Sequence, residues 1–141
     1  MSSLRASDLS VGQTFESVVV EDLKRTQIVQ YAGASGDFNP LHTDEVYTTK
    51  IAGHPSVFAH GMLTMGLTGQ AVANLAGTEN LLKFGVRFTA QVWPGDTLTV
   101  HSTVARITDG EDGPAAEFSL STINADGQEV MSGYAHVKLS D

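Results

Sequence analysis

Apolar and polar residues alternate along four segments in the second half of the chain, at 81–92, 96–107, 115–123 and 128–139. A fifth β-rich run lies at 13–20. A period of two is typical of strands that bury one face. The turn sequences WPGD, TDGEDGP and NADG separate the last four runs and are too short for parallel crossovers. The pattern therefore predicts an antiparallel sheet.

Two other segments have helical character. Residues 24–35 carry apolar side chains at helical spacing, with Asp22 as a candidate N-cap and Gly36 as a stop. Residues 60–77 are apolar on most sides and rich in Gly and Ala, which is typical of a buried helix that other elements surround. We therefore predict an α+β fold in which one antiparallel sheet wraps around one long central helix, as a single domain over 1–141.

The long segment 36–58 between these helices is predicted to be irregular, and loops of that length in small domains are usually functional. Its start belongs to the stretch YAGASGDFNPLH at 31–42, which places Asp37 and His42 five positions apart. Pro40 prevents a helix from continuing and favours extended geometry before it, so the two side chains can turn towards one point. A carboxyl and an imidazole there can supply an acid and a base, and Asn39 can hold one of them in place.

The stretch AHGM at 59–62 opens the second helix and adds a hydrogen-bond donor. Helix N-termini present free N–H groups, and Gly61 has no side chain to block a close approach. Its N–H can therefore hold a carbonyl oxygen that gains negative charge. Acid, base and donor together predict chemistry beside a carbonyl, such as adding or removing water across a conjugated carbon–carbon bond. His60 can also serve simply as a capping or packing residue, and Asp37 simply as a turn residue.

Composition removes several other classes of function. The chain has no cysteine and a net charge of −8, with a sequence pI of about 4.9, so we expect neither nucleic acid nor an anionic membrane surface as a partner. It also lacks a signal-like or membrane-spanning apolar run, which favours a cytoplasmic location. The one metal site that the sequence suggests, from His42, His54 and His60, matches no ligand spacing. We therefore expect neither a metal nor a cofactor.

These motifs resemble those of the MaoC-like, (R)-specific enoyl-CoA hydratase family. YAGASGDFNPLH resembles the family signature, which is an aromatic residue and a small-residue spacer before Gly-Asp-x-Asn-Pro-hydrophobic-His. FAHGMLTMG at 58–66 resembles the segment that opens the central helix, and VRFTAQVWPGDTL at 86–98 resembles the strand and turn that follow it. The resemblance implies the hot-dog fold, which is the arrangement of a sheet around a helix predicted above.

The resemblance also implies roles for individual residues. Asp37 and His42 match the catalytic pair, and Gly61 matches the amide of the oxyanion site. One water would add in a syn manner to a trans-2-enoyl thioester to give an (R)-3-hydroxyacyl thioester, or the reverse. In that reaction His42 takes a proton from the water and Asp37 protonates C2. The candidate substrate-binding or orienting residues are Asn39, His60 and Met62.

Other features concern the substrate more than the reaction. Three features around the loop and the expected entrance to the substrate site depart from the family pattern. They are Thr48, the stretch GHPSVF at 53–58 and Gln91. An acyl-CoA or an acyl carrier protein thioester is the expected substrate, and a net charge of −8 favours coenzyme A over an acidic carrier protein. The cations placed to meet its phosphates are Lys50, Lys83 and Arg87.

Assembly and function class leave alternatives open. Family members pair side by side, so we expect a homodimer, either alone or within a higher oligomer. The alternatives are a 3-hydroxyacyl-carrier-protein or polyketide dehydratase subunit, or one partner of a hot-dog heterodimer. A purely structural subunit has no need of an intact Asp37–His42 pair, which favours an enzyme. A thioesterase can share the fold, but nothing in the sequence supports one.

Overall fold

Five strands form one sheet that wraps around a helix in the computed structural model, which describes residues 4–141. The strands are β1 (Thr14–Val20), β2 (Leu81–Phe88), β3 (Leu98–Gly110), β4 (Gly113–Ile123) and β5 (Glu129–Lys138), and the helices are α1 (Arg25–Ser35) and α2 (Gly61–Ala76). The spatial order is β1-β3-β4-β5-β2, and every neighbouring pair is antiparallel. The predicted α+β, hot-dog arrangement is therefore confirmed.

The core lies between the inner face of the sheet and α2. Near the C-terminal end of α2, Val72 and Ala76 pack with Phe118 and Val104 of the central strands. The apolar cluster at the other end of α2 joins the start of that helix to α1 and to β5; it contains Leu23, Ile28, Ala59, Leu63, Leu67, Val92, Leu98, Val130 and Met131. This second cluster fixes the start of α2 against α1, which is where the predicted site lies.

Helix α2 is buried along one face rather than on most sides. Its buried residues are Leu63, Thr64, Leu67, Thr68, Ala71, Val72 and Ala76. Met62, Gly66 and Gln70 are exposed, so the prediction of a helix enclosed almost all round is wrong. Close contact with β2 explains one of the small residues, because a Cβ at Gly69 would lie 2.9 Å from Cε2 of Phe84.

The element boundaries differ from the predictions at several places, including the start of α1 and the end of β2. Asp22 does not cap α1: the N-cap is Lys24, without a side-chain cap, and Asp22 pairs with the Lys24 ammonium instead. Strand β2 ends at Phe88, because the N–H groups of Thr89 and Ala90 both donate to the Val130 carbonyl and leave the ladder. The predicted stop at Gly36 is confirmed, and this glycine has the left-handed φ of 77° that ends a helix.

The segment 36–58 is more ordered than predicted. It contains a 3₁₀ turn at Pro40–His42 and a π-helical turn at Tyr47–Ile51. Buried Thr48 donates from Oγ1 to the Pro40 carbonyl at 3.0 Å and so ties the second turn to the first. The structure also contains no helix of the length and apolar character needed to cross a membrane, over residues 4–141.

The carboxylate of Glu45 fixes the same segment at two further points. It accepts a hydrogen bond from the Arg25 guanidinium at 2.6 Å and another from the Val57 N–H at 3.2 Å. The Arg25 contact is the main reason that the pKa of Glu45 lies below its usual range, and the Val57 N–H lowers it further. Glu45 therefore connects the start of α1, the π-helical turn and the chain that leads into the candidate site.

Candidate functional site

His42 is held by a backbone carbonyl on the far side of the loop. The turn that carries it begins at Asn39, whose Oδ1 accepts the Leu41 N–H at 3.0 Å. Nδ1 of His42 lies 2.6 Å from the Phe58 carbonyl oxygen. Because a carbonyl can only accept, Nδ1 carries the hydrogen, and the neutral ring keeps a free lone pair on Nε2. His42 is therefore oriented as a base.

Asp37 follows the left-handed Gly36 at the end of α1, and its side chain is exposed. Its backbone N–H donates to Ser35 Oγ at 3.1 Å, and its Oδ1 accepts the Asn39 N–H at 3.2 Å. One side-chain ligand atom each of Asp37, His42 and His60 lies within 4.8 Å of the other two. The structure thus brings the predicted acid and base together, and Asn39 shapes the turn between them.

Gly61 is the first residue of α2, and helix geometry leaves its N–H without an intrahelical acceptor. Gly61 and His42 line the same cavity, whose volume is about 470 Å³. That is within the range of small-molecule sites. The other lining residues are Phe58, Ala59, Thr64, Phe88, Thr89, Ala90, Gln91, Val92 and Val130. A base and a helix-start donor therefore face one space.

The Phe88 ring flanks Gly61. A Cβ on residue 61 would lie 3.2–3.3 Å from three carbons of this ring, closer than most side chains tolerate. Phe88 is 52% exposed and ends β2 at the edge of the sheet. Gly61 therefore has a packing reason to lack a side chain, in addition to the predicted approach of a carbonyl. The sequence pattern gives no signal for this contact.

The remaining candidate residues have different surroundings. Met62 is 55% exposed and does not line the cavity, whereas Gln91 does. His54 is half-buried with its ring edge-on to Phe58 at 5.0 Å, which differs from the exposed position expected for it. His101 and His136 lie on strands β3 and β5, away from this cavity.

His60 lies against His42 and does not line the cavity. Its side chain is 2% exposed, and its Nε2 lies 3.0 Å from the Asp37 backbone carbonyl. Its ring stacks on the His42 ring, with centroids 3.8 Å apart and planes inclined by 25°. Tyr31 of α1 contacts the His60 ring edge-on at 4.8 Å. His60 therefore connects α1, the Asp37 turn and the start of α2.

Asp37, His42 and His60 are a possible metal-ligating group, different from the group that the sequence suggested. One nitrogen of each histidine already donates to a backbone carbonyl. The lone pairs of the other two nitrogens lie in nearly parallel ring planes, because the rings are stacked. Two such lone pairs do not converge on one ion at the distances that metals require.

Comparisons with known proteins find relatives that match nearly the whole chain. The (R)-specific enoyl-CoA hydratase of Aeromonas caviae is 29% identical over 138 residues, which is 96% of this chain and 99% of that protein. The structure of R-hydratase PhaJ1 from Pseudomonas aeruginosa has a TM-score of 0.81 and 27% identity, covering 99% of this chain and 93% of that one.

A second relative matches over a shorter segment. The 3-hydroxyacyl-thioester dehydratase Y of Mycobacterium tuberculosis is 46% identical over 68 residues, 46% of this chain. This chain spans only a small part of several larger relatives, 23% in the case of dehydratase Y. The family model described as "MaoC like domain" matches residues 7–125, most of the sequence. The chain belongs to the MaoC-like domain family.

Proposed function

We propose that the protein is a hydro-lyase that adds water to trans-2-enoyl thioesters to give (R)-3-hydroxyacyl thioesters, or catalyses the reverse dehydration. The observation that carries this proposal is the orientation of His42. Its Nδ1–H is committed to the Phe58 carbonyl, so Nε2 is free to act as a base beside the Asp37 carboxyl group. The names of the relatives support the same reaction class, because they are hydratases and dehydratases.

The proposed hydration uses one water bound between the two side chains. His42 Nε2 takes a proton from the water as its oxygen bonds to C3 of the enoyl group. The Asp37 carboxyl, protonated at the start of the cycle, delivers its proton to C2. Transfer of the proton from His42 back to Asp37 then restores both groups. Overall, one water molecule supplies both the hydrogen on C2 and the hydroxyl group on C3, so the reaction balances and no other reactant is needed.

Gly61 has a separate role in this proposal. The thioester carbonyl oxygen gains negative charge while the bond to C3 forms, and the N–H of Gly61 donates to it. The positive end of the α2 dipole favours the same charge. The cavity lined by both His42 and Gly61 supports this assignment, because one bound substrate can contact both residues. Coenzyme A thioesters are the proposed substrate class.

The direct test mixes the purified protein with trans-2-enoyl-CoA substrates of short and long acyl chain. Loss of absorbance from the conjugated double bond measures hydration, and chiral analysis of the product assigns its configuration. We expect saturable turnover and the (R)-3-hydroxyacyl product. Turnover of no enoyl thioester at any chain length, on coenzyme A or on a carrier protein, would reject the proposal. An (S) product would reject the assigned geometry.

A further inference from the structure

His60 has a tautomer that its hydrogen bonds define. Nε2 lies 3.0 Å from the Asp37 backbone carbonyl, so Nε2 carries the hydrogen and donates it. The other ring nitrogen, Nδ1, is fully buried and has no hydrogen-bond partner in residues 4–141. A proton on Nδ1 would become a buried donor without an acceptor, which is costly. Of the two neutral tautomers of His60, the surroundings therefore favour the one with its hydrogen on Nε2.

This neutral ring lies directly against the catalytic base. The His42 and His60 centroids are 3.8 Å apart, and the rings are inclined by only 25°. In the proposed hydration, His42 becomes an imidazolium as it takes the proton from water. A cation within about 6 Å of an aromatic face is stabilised by that face. The stack thus places the face of His60 where the positive charge develops.

We propose that His60 is a positioning residue that serves as the platform for His42. It fixes the plane of the His42 ring, and its neutral face stabilises the imidazolium formed during turnover. The hydrogen bond from His60 Nε2 to the Asp37 carbonyl and the edge-on contact of its ring with Tyr31 hold His60 in place. This role rests on the proposed function, but it assigns His60 no contact with the substrate, in agreement with its 2% exposure.

Two substitutions distinguish the contribution of the aromatic face of His60 from the contribution of its hydrogen bond. His60→Gln keeps an N–H that can reach the Asp37 carbonyl but loses the ring, whereas His60→Phe keeps a ring but loses the donor. His60→Gln is expected to lower kcat by about 3- to 30-fold, the range of a cation–π contact, with KM changed less than about threefold. His60→Phe should retain more of kcat than His60→Gln. His101→Gln, a histidine on β3 outside the site, is the matched control.

Three outcomes would overturn the proposed platform role of His60. Equal losses of kcat in both variants, in proportion to their loss of melting temperature, would assign His60 a structural role only. A larger loss in His60→Phe than in His60→Gln would assign its importance to the donor instead. A rise in KM with kcat unchanged would place His60 in substrate binding and would also contradict the proposal.

Nuclear magnetic resonance tests the same arrangement without turnover. In ¹⁵N-labelled protein, long-range proton–nitrogen correlations distinguish the two neutral tautomers of each histidine. We expect Nε2–H for His60 and Nδ1–H for His42, and we expect His42 to lose its single tautomer in His60→Gln. A His60 protonated on Nδ1, or an unchanged His42 in His60→Gln, would overturn the inference. Because this readout needs no substrate, it separates failure of the platform from failure of the proposed reaction.

Discussion

Backbone groups hold the side chains of His42 and Asp37 through hydrogen bonds, and neither residue belongs to the apolar core, so both can be changed without disturbing that core. Asp37→Asn and His42→Gln are each expected to reduce kcat by roughly 10²–10⁴-fold, the usual contribution of general acid–base catalysis. Melting temperatures should change little, because Asp37 is exposed and His42 is only partly buried. Enoyl-CoA hydration measured beside thermal unfolding is the test. Near-normal turnover in either folded variant would reject the mechanism.

Gly61 needs a more careful substitution, because Phe88 limits the same space. Gly61→Ala introduces a Cβ against the Phe88 ring and also obstructs a carbonyl approaching the N–H. We expect a loss of up to about 10²–10³-fold in kcat, the value of one oxyanion donor. The double variant Gly61→Ala/Phe88→Ala, compared with Phe88→Ala alone, isolates the second effect. If Gly61→Ala does not lower kcat in the Phe88→Ala background, Gly61 does not act as the oxyanion donor.

At the residue scale, sequence motifs predicted that Asp37, His42 and Gly61 lie close together, and the structure agrees; the catalytic roles that the motifs also predicted stay predictions. The motifs do not indicate that His60 stacks beneath His42, or that Phe88 covers Gly61. Both contacts join residues from separate segments of the chain, and neither produces a local pattern of polarity. A buried histidine at a helix start has the same sequence appearance as an exposed one.

At the scale of elements, the connection through Glu45 helps to hold the segment that carries Asp37 and His42. Because the folded pKa of Glu45 is depressed, its contribution to stability is present above the ordinary glutamate pKa and is lost as the pH falls through the folded value. Glu45→Gln should therefore lower the melting temperature at neutral pH. That difference should shrink as the pH falls below about 4.

Thermal unfolding across pH, with Glu111→Gln as a control, measures this effect. Glu111 is also exposed, and its carboxylate makes no ion pair in the part of the chain that the structure describes. A pH profile for Glu45→Gln that matches the control would show that the Arg25 and Val57 contacts contribute nothing measurable. The effect should also weaken in high salt, because the pair with Arg25 is exposed.

Alternation of apolar residues predicted the strands well but not their ends. In β2 the pattern continues through Ala90 and Val92, yet pairing stops at Phe88. Residues 89–92 turn out of the ladder and line the cavity instead. Apolar side chains line binding cavities as well as the cores of sheets, so periodicity alone does not show where a strand ends. The turns inside 36–58 escaped prediction because proline and glycine mark breaks without specifying what lies between them.

For the whole molecule, the free edge of β2 favours a homodimer. This strand lies at one end of the sheet, and Leu82 and Phe88 on it are 62% and 52% exposed. An unpaired edge with apolar side chains promotes association with another strand. We expect a particle of twice 14.9 kDa by light scattering, or a multiple of it. Leu82→Lys should weaken the dimer, whereas Val11→Lys, a substitution at a residue that is 65% exposed outside the strands, should not.

A stable monomer with full hydratase activity would contradict the homodimer. An inactive chain that becomes active on addition of a second hot-dog protein would replace the homodimer by a heterodimer. The same light-scattering experiment distinguishes the two cases when it is performed with and without the second protein.

Net charge argues for coenzyme A as the acyl carrier. The chain carries −8 overall, so an acidic carrier protein would be repelled, whereas a small phosphate cluster needs only a few local cations. Lys83 and Arg87 are exposed four residues apart on the edge strand, and Lys50 is exposed in the π-helical turn. We expect a higher kcat/KM for an acyl group on coenzyme A than for the same group on a carrier protein. A preference for the carrier protein that strengthens at low salt would contradict this.

The strand order has a consequence for how the protein acquires activity during folding. The segment with Asp37 and His42 follows β1, and β1 pairs only with β3, far along the chain. Phe58, which orients His42, is followed by Ala59, whose N–H donates to the Val92 carbonyl. Closing such long loops is entropically expensive, so contacts of this kind form late. The first half of the chain therefore carries the side chains of the candidate site but cannot arrange them until the second half has been synthesised and has folded against it.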